Sequence, residues 1–203
     1  MKSILYIIIS FFFLIKGVTD NDSKNSTIDH SVDLKNSESS FQPGEVIDRY
    51  DNIEVYYNGD VTNVFGRNLS YDGYNLGLNY QCVEYVKRYY YYKYDHKMPD
   101  SYGHAKDFFD PALPDRKYNE SRDLYQFTNG SEYRPLPGDI MVFDGTLSNP
   151  FGHCGIVTVS KGNMCELIQQ NVGDKSRELF KVQKINGRFF VMDKDVLGWL
   201  RKG

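Results

Sequence analysis

The chain of 203 residues is poor in the features that mark several large protein classes. It has three cysteines, an odd number, so a fully paired disulfide framework is excluded and at least one thiol stays unpaired within the monomer. A formal net charge of −3 offers no basic excess, which argues against a nucleic-acid partner. Nor is there an apolar run of the roughly 20 residues that a membrane-spanning helix needs. The apolar stretch from Ile4 to Ile15, interrupted by Tyr6 and Ser10, stops at Lys16-Gly17.

What is present at the N-terminus is a basic start at Lys2, that short apolar stretch and a polar sequel from Thr19. This order predicts a secretory signal peptide over residues 1–18, with a retained anchor as the other reading. The expected location is secreted or periplasmic, with membrane contact only through an uncleaved N-terminal segment. Loss of Lys2 and Lys16 with that segment would take the net charge from −3 to −5. Residues 19–44 are rich in Asp, Asn, Ser and Lys, and hold few large apolar side chains. Such a segment cannot offset the entropy of ordering, so a disordered linker is expected there. Residues 45–203 are dense in aromatic and aliphatic side chains and suit one domain with one core, and no second module is expected after it.

An unpaired cysteine in an exported protein invites a catalytic explanation. After the glycine-rich, turn-like stretch Gly73–Leu78, the residues Cys82, Tyr85, Val86 and Tyr89 fall at helical spacing on one core-facing stripe. Cys82 is thereby placed in the first turn of a helix, where free backbone N–H groups and the macrodipole favour thiolate. A small buried hydrophobe is the alternative role for such a cysteine.

Pro135-Leu136-Pro137-Gly138-Asp139 signals a turn, and Ile140–Phe143 reads as a buried strand. The segments around His153–Val159 and Met164–Asn171 flank Ser160-Lys161-Gly162-Asn163 and predict a β-hairpin. A loop centred near Gly162 sets His153 across from about Asn171, with Gln169 as its diagonal neighbour on the same face. Parity excludes Glu166 from that face unless a bulge intervenes. A Cys154–Cys165 bridge is geometrically poor in this register, so all three thiols are expected to be free. Gly152 and Gly155 on either side of His153 suggest room for a close approach by chain or substrate. His30, His96 and His104 read as surface or packing residues. Together, a helix-start cysteine, a strand histidine and amide side chains on the next strand supply the parts for Cys–His nucleophilic catalysis.

Tyr80-Gln81-Cys82-Val83-Glu84, Pro137-Gly138-Asp139, Gly152-His153 and Gln170-Asn171, in this order and spacing, resemble the CHAP (cysteine, histidine-dependent amidohydrolase/peptidase) family. Within it the chain is most similar to glutathionylspermidine amidase domains, a likeness extending to Phe127–Ser131, Ser176–Leu179 and Leu197-Gly198-Trp199. The resemblance implies an α+β, papain-like (NlpC/P60-type) fold, with a cysteine-bearing helix packed on an antiparallel sheet bearing the histidine. It further implies Cys82 as nucleophile and His153 as base, with Gln169 and Asn171 assisting. The backbone N–H of Cys82 and the side chain of Gln81 are the oxyanion candidates, although Gln81 could equally brace the helix.

One departure stands out. The family ends this hairpin with Glu-Gln-Asn, whereas this chain has Gln169-Gln170-Asn171. The lost charge should disfavour the imidazolium by about 1 to 2 kcal/mol. Glycine and asparagine stand at 73, 75, 77 and 79, where calcium-binding members carry acids, so no metal and no cofactor are expected. Lys87-Arg88 reads as a solvated edge, and Tyr89–Tyr92 as helix packing with exposed hydroxyls. The expected activity is hydrolysis of an amide bond, with a peptidoglycan peptide as the first substrate class and a small glutathionylspermidine-like conjugate as the second. A catalytically weak or inactive binding module is the alternative of a different class.

Overall fold

The computed structural model describes residues 40–203. The expected signal peptide, most of the expected linker and His30 lie outside the described residues. The architecture is α+β, one long helix on a large antiparallel sheet.

In chain order the strands are β1 (Val46–Tyr50), β2 (Ile53–Tyr56), β3 (Arg67–Leu69) and β4 (Asn75–Leu78), followed by helix α1 (Cys82–Tyr94). A short 3-10 turn at Lys106–Phe108 leads to β5 (Lys117–Asn119), β6 (Leu124–Thr128), β7 (Ile140–Phe143) and β8 (His153–Lys161). The chain ends with β9 (Met164–Gln169), β10 (Arg177–Ile185), β11 (Arg188–Val191) and β12 (Val196–Arg201). Eight strands form one sheet in the order β11-β10-β9-β8-β7-β12-β6-β5, while β1 pairs with β2 and β3 with β4. The stretch read as a glycine-rich turn is therefore mostly strand: Gly73, at φ +81°, closes a turn from Ser70, and β4 then returns along β3.

Both faces of the central strands are covered, which is why β7 reads as an uninterrupted apolar run. Ile140, Val142, Cys154, Ile156 and Ile168 point to the helix side and pack with Tyr85, Val86 and Tyr89. Their neighbours in sequence, Met141, Phe143, Val157 and Leu167, pack on the other face with Phe180 and Trp199, whose ring stacks on Phe127 at 6.4 Å. The stripe expected on α1 is thus the contact face of the helix, and Cys82 belongs to the same cluster.

Two sequence expectations about α1 are corrected. Lys87 and Arg88 are not a solvated edge; both are buried. Lys87 donates to the carbonyls of Asn75 and Ser101, and Arg88 binds Glu84 one turn away at 2.5 Å. Burial among Arg122 and Arg67 brings the Lys87 pKa down to about 7. In the tyrosine run, Tyr92 alone is exposed. The hydroxyl of Tyr89 donates to Asp51 at 2.7 Å and that of Tyr90 to the Gly138 carbonyl at 2.9 Å.

Candidate active site

Gln81 is the N-cap of α1, in extended backbone, and Cys82 opens the helix. The first intrahelical bond is donated by Tyr85 to the Gln81 carbonyl at 3.2 Å, so the N–H groups of Cys82, Val83 and Glu84 precede the ladder and leave a positive helix end beside the thiol. His153 opens β8, and Gly155 pairs with Gln169 on β9. That register puts Gln169 diagonal to His153, and the ring Nε2 sits 2.8 Å from Gln169 Oε1. The ring's other nitrogen, Nδ1, is left for Cys82, with which His153 interacts by charge and hydrogen bonding.

The electrostatics favour the ion pair. The Cys82 thiol is held well below its ordinary 9.0, first by a hydrogen bond to the Cys154 thiol, with the charge and hydrogen bond of His153 and the Cys154 backbone acting in the same direction against burial. Burial works to lower the pKa of His153, but the charge of Cys82, its hydrogen bond, the Gln169 amide and the charge of Glu178 together raise it above 6.5. The Cys154 thiol moves the other way, pushed well above 9.0 by burial and by its neighbour Cys82. All three cysteines are free; Cys165 pairs across the hairpin with Ser160, remote from Cys154.

The remaining candidates form a second cluster. Asn171, at φ +67°, directs its side-chain hydrogen bonds to Asn58, Val61 and Gln81 rather than to His153. Its Nδ2 donates to Gln81 Oε1 at 2.7 Å and to the Val61 carbonyl at 3.1 Å, and its Oδ1 accepts from Asn58 at 2.7 Å. Gln81 in turn donates to the Asn63 carbonyl at 2.8 Å. Both ends of the Gln81 amide are thereby engaged, and it braces the helix start, leaving one amide proton for an oxyanion.

Sequence reasoning missed Gln170. Fully buried, it donates to the Gln81 carbonyl at 3.0 Å and to Glu84 Oε2 at 2.8 Å, and accepts from the Tyr56 N–H at 2.8 Å. Glu166 faces away as parity requires, bonded to Thr158 and Arg177, even though a bulge falls between Val157 and Val159. The glycines about His153 give room to the protein's own chain. A Cβ on Gly152 would lie 2.5 Å from the Phe143 carbonyl oxygen, and one on Gly155 would lie 2.8 Å from that of Ile168.

A cleft of about 500 Å³ opens at His153 and Gln169 and continues past Glu178 toward Asp144, Asp193 and Asp195. The CHAP domain model matches residues 71–171, which contain Cys82, His153 and the whole hairpin. The chain carries a CHAP domain. This domain implies a papain-like fold, with which one helix against a large antiparallel sheet agrees. Bifunctional glutathionylspermidine synthetase/amidase from Escherichia coli (strain K12) is 30% identical over 139 residues, covering 62% of this chain and 22% of the relative. The protein of that name from Shigella flexneri matches to the same extent. The chain therefore spans about a fifth of the length of these curated relatives. The solved structure titled "The crystal structure of Ly7917" shares 20% identity at a TM-score of 0.25 over 35% of this chain and 29% of that one, too little to bear on the fold. The CHAP domain and the amidase relatives support a hydrolase of the amidase kind.

Proposed function

We propose that this CHAP protein hydrolyses an amide bond by cysteine catalysis outside the cytoplasm. The observation that carries the reading is the meeting of Cys82, at the start of α1, with His153, at the start of β8, whose Nε2 lies 2.8 Å from Gln169 Oε1; their interaction holds the thiol low and the ring high. In the first step the Cys82 thiolate attacks the amide carbonyl carbon, and the oxyanion forms near the Cys82 backbone N–H and the remaining Gln81 amide proton. The His153 imidazolium then gives its proton to the leaving amine as the C–N bond breaks, leaving a thioester. Water, deprotonated by His153, cleaves the thioester and returns the thiolate. Export rests on the basic start and short apolar stretch of residues 1–18.

A peptide amide of peptidoglycan is the proposed substrate for an exported CHAP domain. The second reading, a small amide conjugate carrying a cationic arm, is favoured by the cleft, whose lining holds Asp144, Glu178, Asp193 and Asp195, the last paired with Lys194, and the cations Lys175 and Arg177. Of these two cations Arg177 is already occupied by Asp48 and Glu166. Purified sacculi and glutathionylspermidine, offered in parallel to the wild type and Cys82→Ala, separate the readings by which one releases new amines. Release from neither, with Cys82 alkylated by iodoacetamide no faster than an ordinary thiol, would leave the binding-module alternative instead.

A further inference from the structure

Gln169 stands where the family has a carboxylate, yet a carboxylate is present one side chain further out. Glu178 on β10 lies opposite Leu167 and so is the diagonal neighbour of Gln169 across the β9–β10 ladder. Gln169 Nε2 donates to Glu178 Oε2 at 3.1 Å, while Gln169 Oε1 faces His153 Nε2 at 2.8 Å. The Arg177 side chain is turned to Asp48 and Glu166, and among the described residues no cation is ion-paired with Glu178. The carboxylate is free to serve the amide.

We infer that Glu178 is a positioning residue that fixes the Gln169 amide, and through it the tautomer of His153. An amide has one accepting and one donating end, and alone it can turn over and present either to the ring. An ionised carboxylate only accepts. Glu178 therefore draws the NH2 end toward itself and leaves Oε1 for the histidine. An acceptor at Nε2 holds the proton there, so that in the neutral ring Nδ1 carries the lone pair that takes the Cys82 proton. The same chain of polar groups brings negative charge toward the imidazolium, a smaller effect because Glu178 is exposed.

This inference rests on the cysteine-catalysis reading, and its test separates the two. Cys82 alkylation is followed by mass spectrometry across pH 5 to 9 in wild type, His153→Ala, Glu178→Gln, Glu178→Lys and Gln169→Glu/Glu178→Lys. The groups bearing on the ring are Cys82, Gln169 and Glu178, with Cys154 acting on Cys82 and Lys175, Asp144, Asp193 and Asp195 along the cleft. Glu178→Gln, which can pair with the amide in either orientation, is expected to slow alkylation near neutral pH about three- to ten-fold. Glu178→Lys offers a donor, reverses the amide and is expected to cost on the order of 100-fold. Adding Gln169→Glu should restore the rate, because a carboxylate then meets the ring directly and the introduced ammonium pairs with it. Nitrogen-15 NMR of the ring in Cys82→Ala should show neutral His153 protonated at Nε2, moving to Nδ1 in the Glu178→Lys background. Loss of pH-dependent reactivity in His153→Ala together with unchanged rates and tautomer in both Glu178 variants would overturn the inference and keep the cysteine reading. Unchanged reactivity in His153→Ala would overturn the cysteine reading itself. A Glu178→Lys defect that Gln169→Glu fails to rescue would reduce Glu178 to a structural residue.

Discussion

Gln170 Nε2 donates a 2.8 Å hydrogen bond to Glu84, joining the hairpin that carries His153 to the helix that begins with Cys82. Glu84 also binds Arg88 at 2.5 Å and accepts from Asn68 at 2.8 Å, so the contact belongs to a buried, largely satisfied network. Low local dielectric makes such a network strong when complete and costly when broken. Its placement between the two elements means that cysteine and histidine are registered by buried groups that do not line the cleft at His153.

Gln170→Leu should therefore damage both stability and site geometry. The substitution strips one donor from the Glu84 carboxylate and leaves the Tyr56 N–H without its acceptor. We expect a loss of about 2 to 4 kcal/mol, read as a lower urea midpoint with little change in slope. Alkylation of Cys82 should also lose part of its dependence on His153, measured in the folded baseline.

The hairpin explains how much of this site was legible in advance. A loop centred near Gly162 sets Gln169 diagonal to His153, and the ladder has that pairing, with Gly155 opposite Gln169. The turn itself pairs Lys161 with Met164, one position off the register of a loop centred on Gly162, and the bulge between Val157 and Val159 takes up that difference and sets Gly155 opposite Gln169 at the His153 end of the ladder. Lys87 and Arg88 were illegible for a different reason. Helical spacing marks apolar stripes, but it does not show that β4 and Gln170 would arrive from elsewhere in the chain to cover a charged face. Glu178 was hidden likewise, since its role depends on β10 lying beside β9.

Catalysis should follow a bell-shaped pH profile in kcat/KM. Its acid limb reports formation of the thiolate and falls well below the ordinary 9.0 of a cysteine; its alkaline limb reports loss of the imidazolium and lies above the ordinary 6.5 of a histidine. The two limbs belong to the pair, because each charge displaces the other. Cys154→Ala removes the hydrogen bond that contributes most to the low Cys82 value and should shift the acid limb upward. An unshifted limb in that variant would show that His153 and the helix end suffice.

Lys87 gives stability a pH dependence of its own. Its folded pKa of about 7 lies below the 10.5 of an unfolded lysine, so between these values the unfolded chain binds more protons than the folded one. Stability from this residue accordingly rises as pH increases from 7 toward 10.5, the reverse of a lysine that gains an acidic partner. Lys87→Met should flatten that slope while leaving the Asn75 and Ser101 carbonyls short of a donor. Urea midpoints at pH 6.5 and 9.5, compared between wild type and variant, measure the difference.

Gly152 tests how tightly the strand that carries His153 is seated. Its φ of +73° already disfavours any residue with a Cβ, and that Cβ would come 2.5 Å from the Phe143 carbonyl oxygen and 3.0 Å from the Lys106 N–H nitrogen. Neither obstacle is a flexible side-chain tip. Phe143 pairs with His153 across β7 and β8, so relief of the clash must displace the strand end that carries the imidazole. Gly152→Ala is expected to destabilise the fold by more than about 1 kcal/mol, since both the backbone conformation and the contact oppose it. It should lower Cys82 reactivity more than the stability loss explains, when compared with Gly162→Ala, where φ is +59° but a Cβ meets nothing within 4 Å. Equal effects of the two substitutions on reactivity would show that backbone strain, rather than displacement of His153, sets the loss.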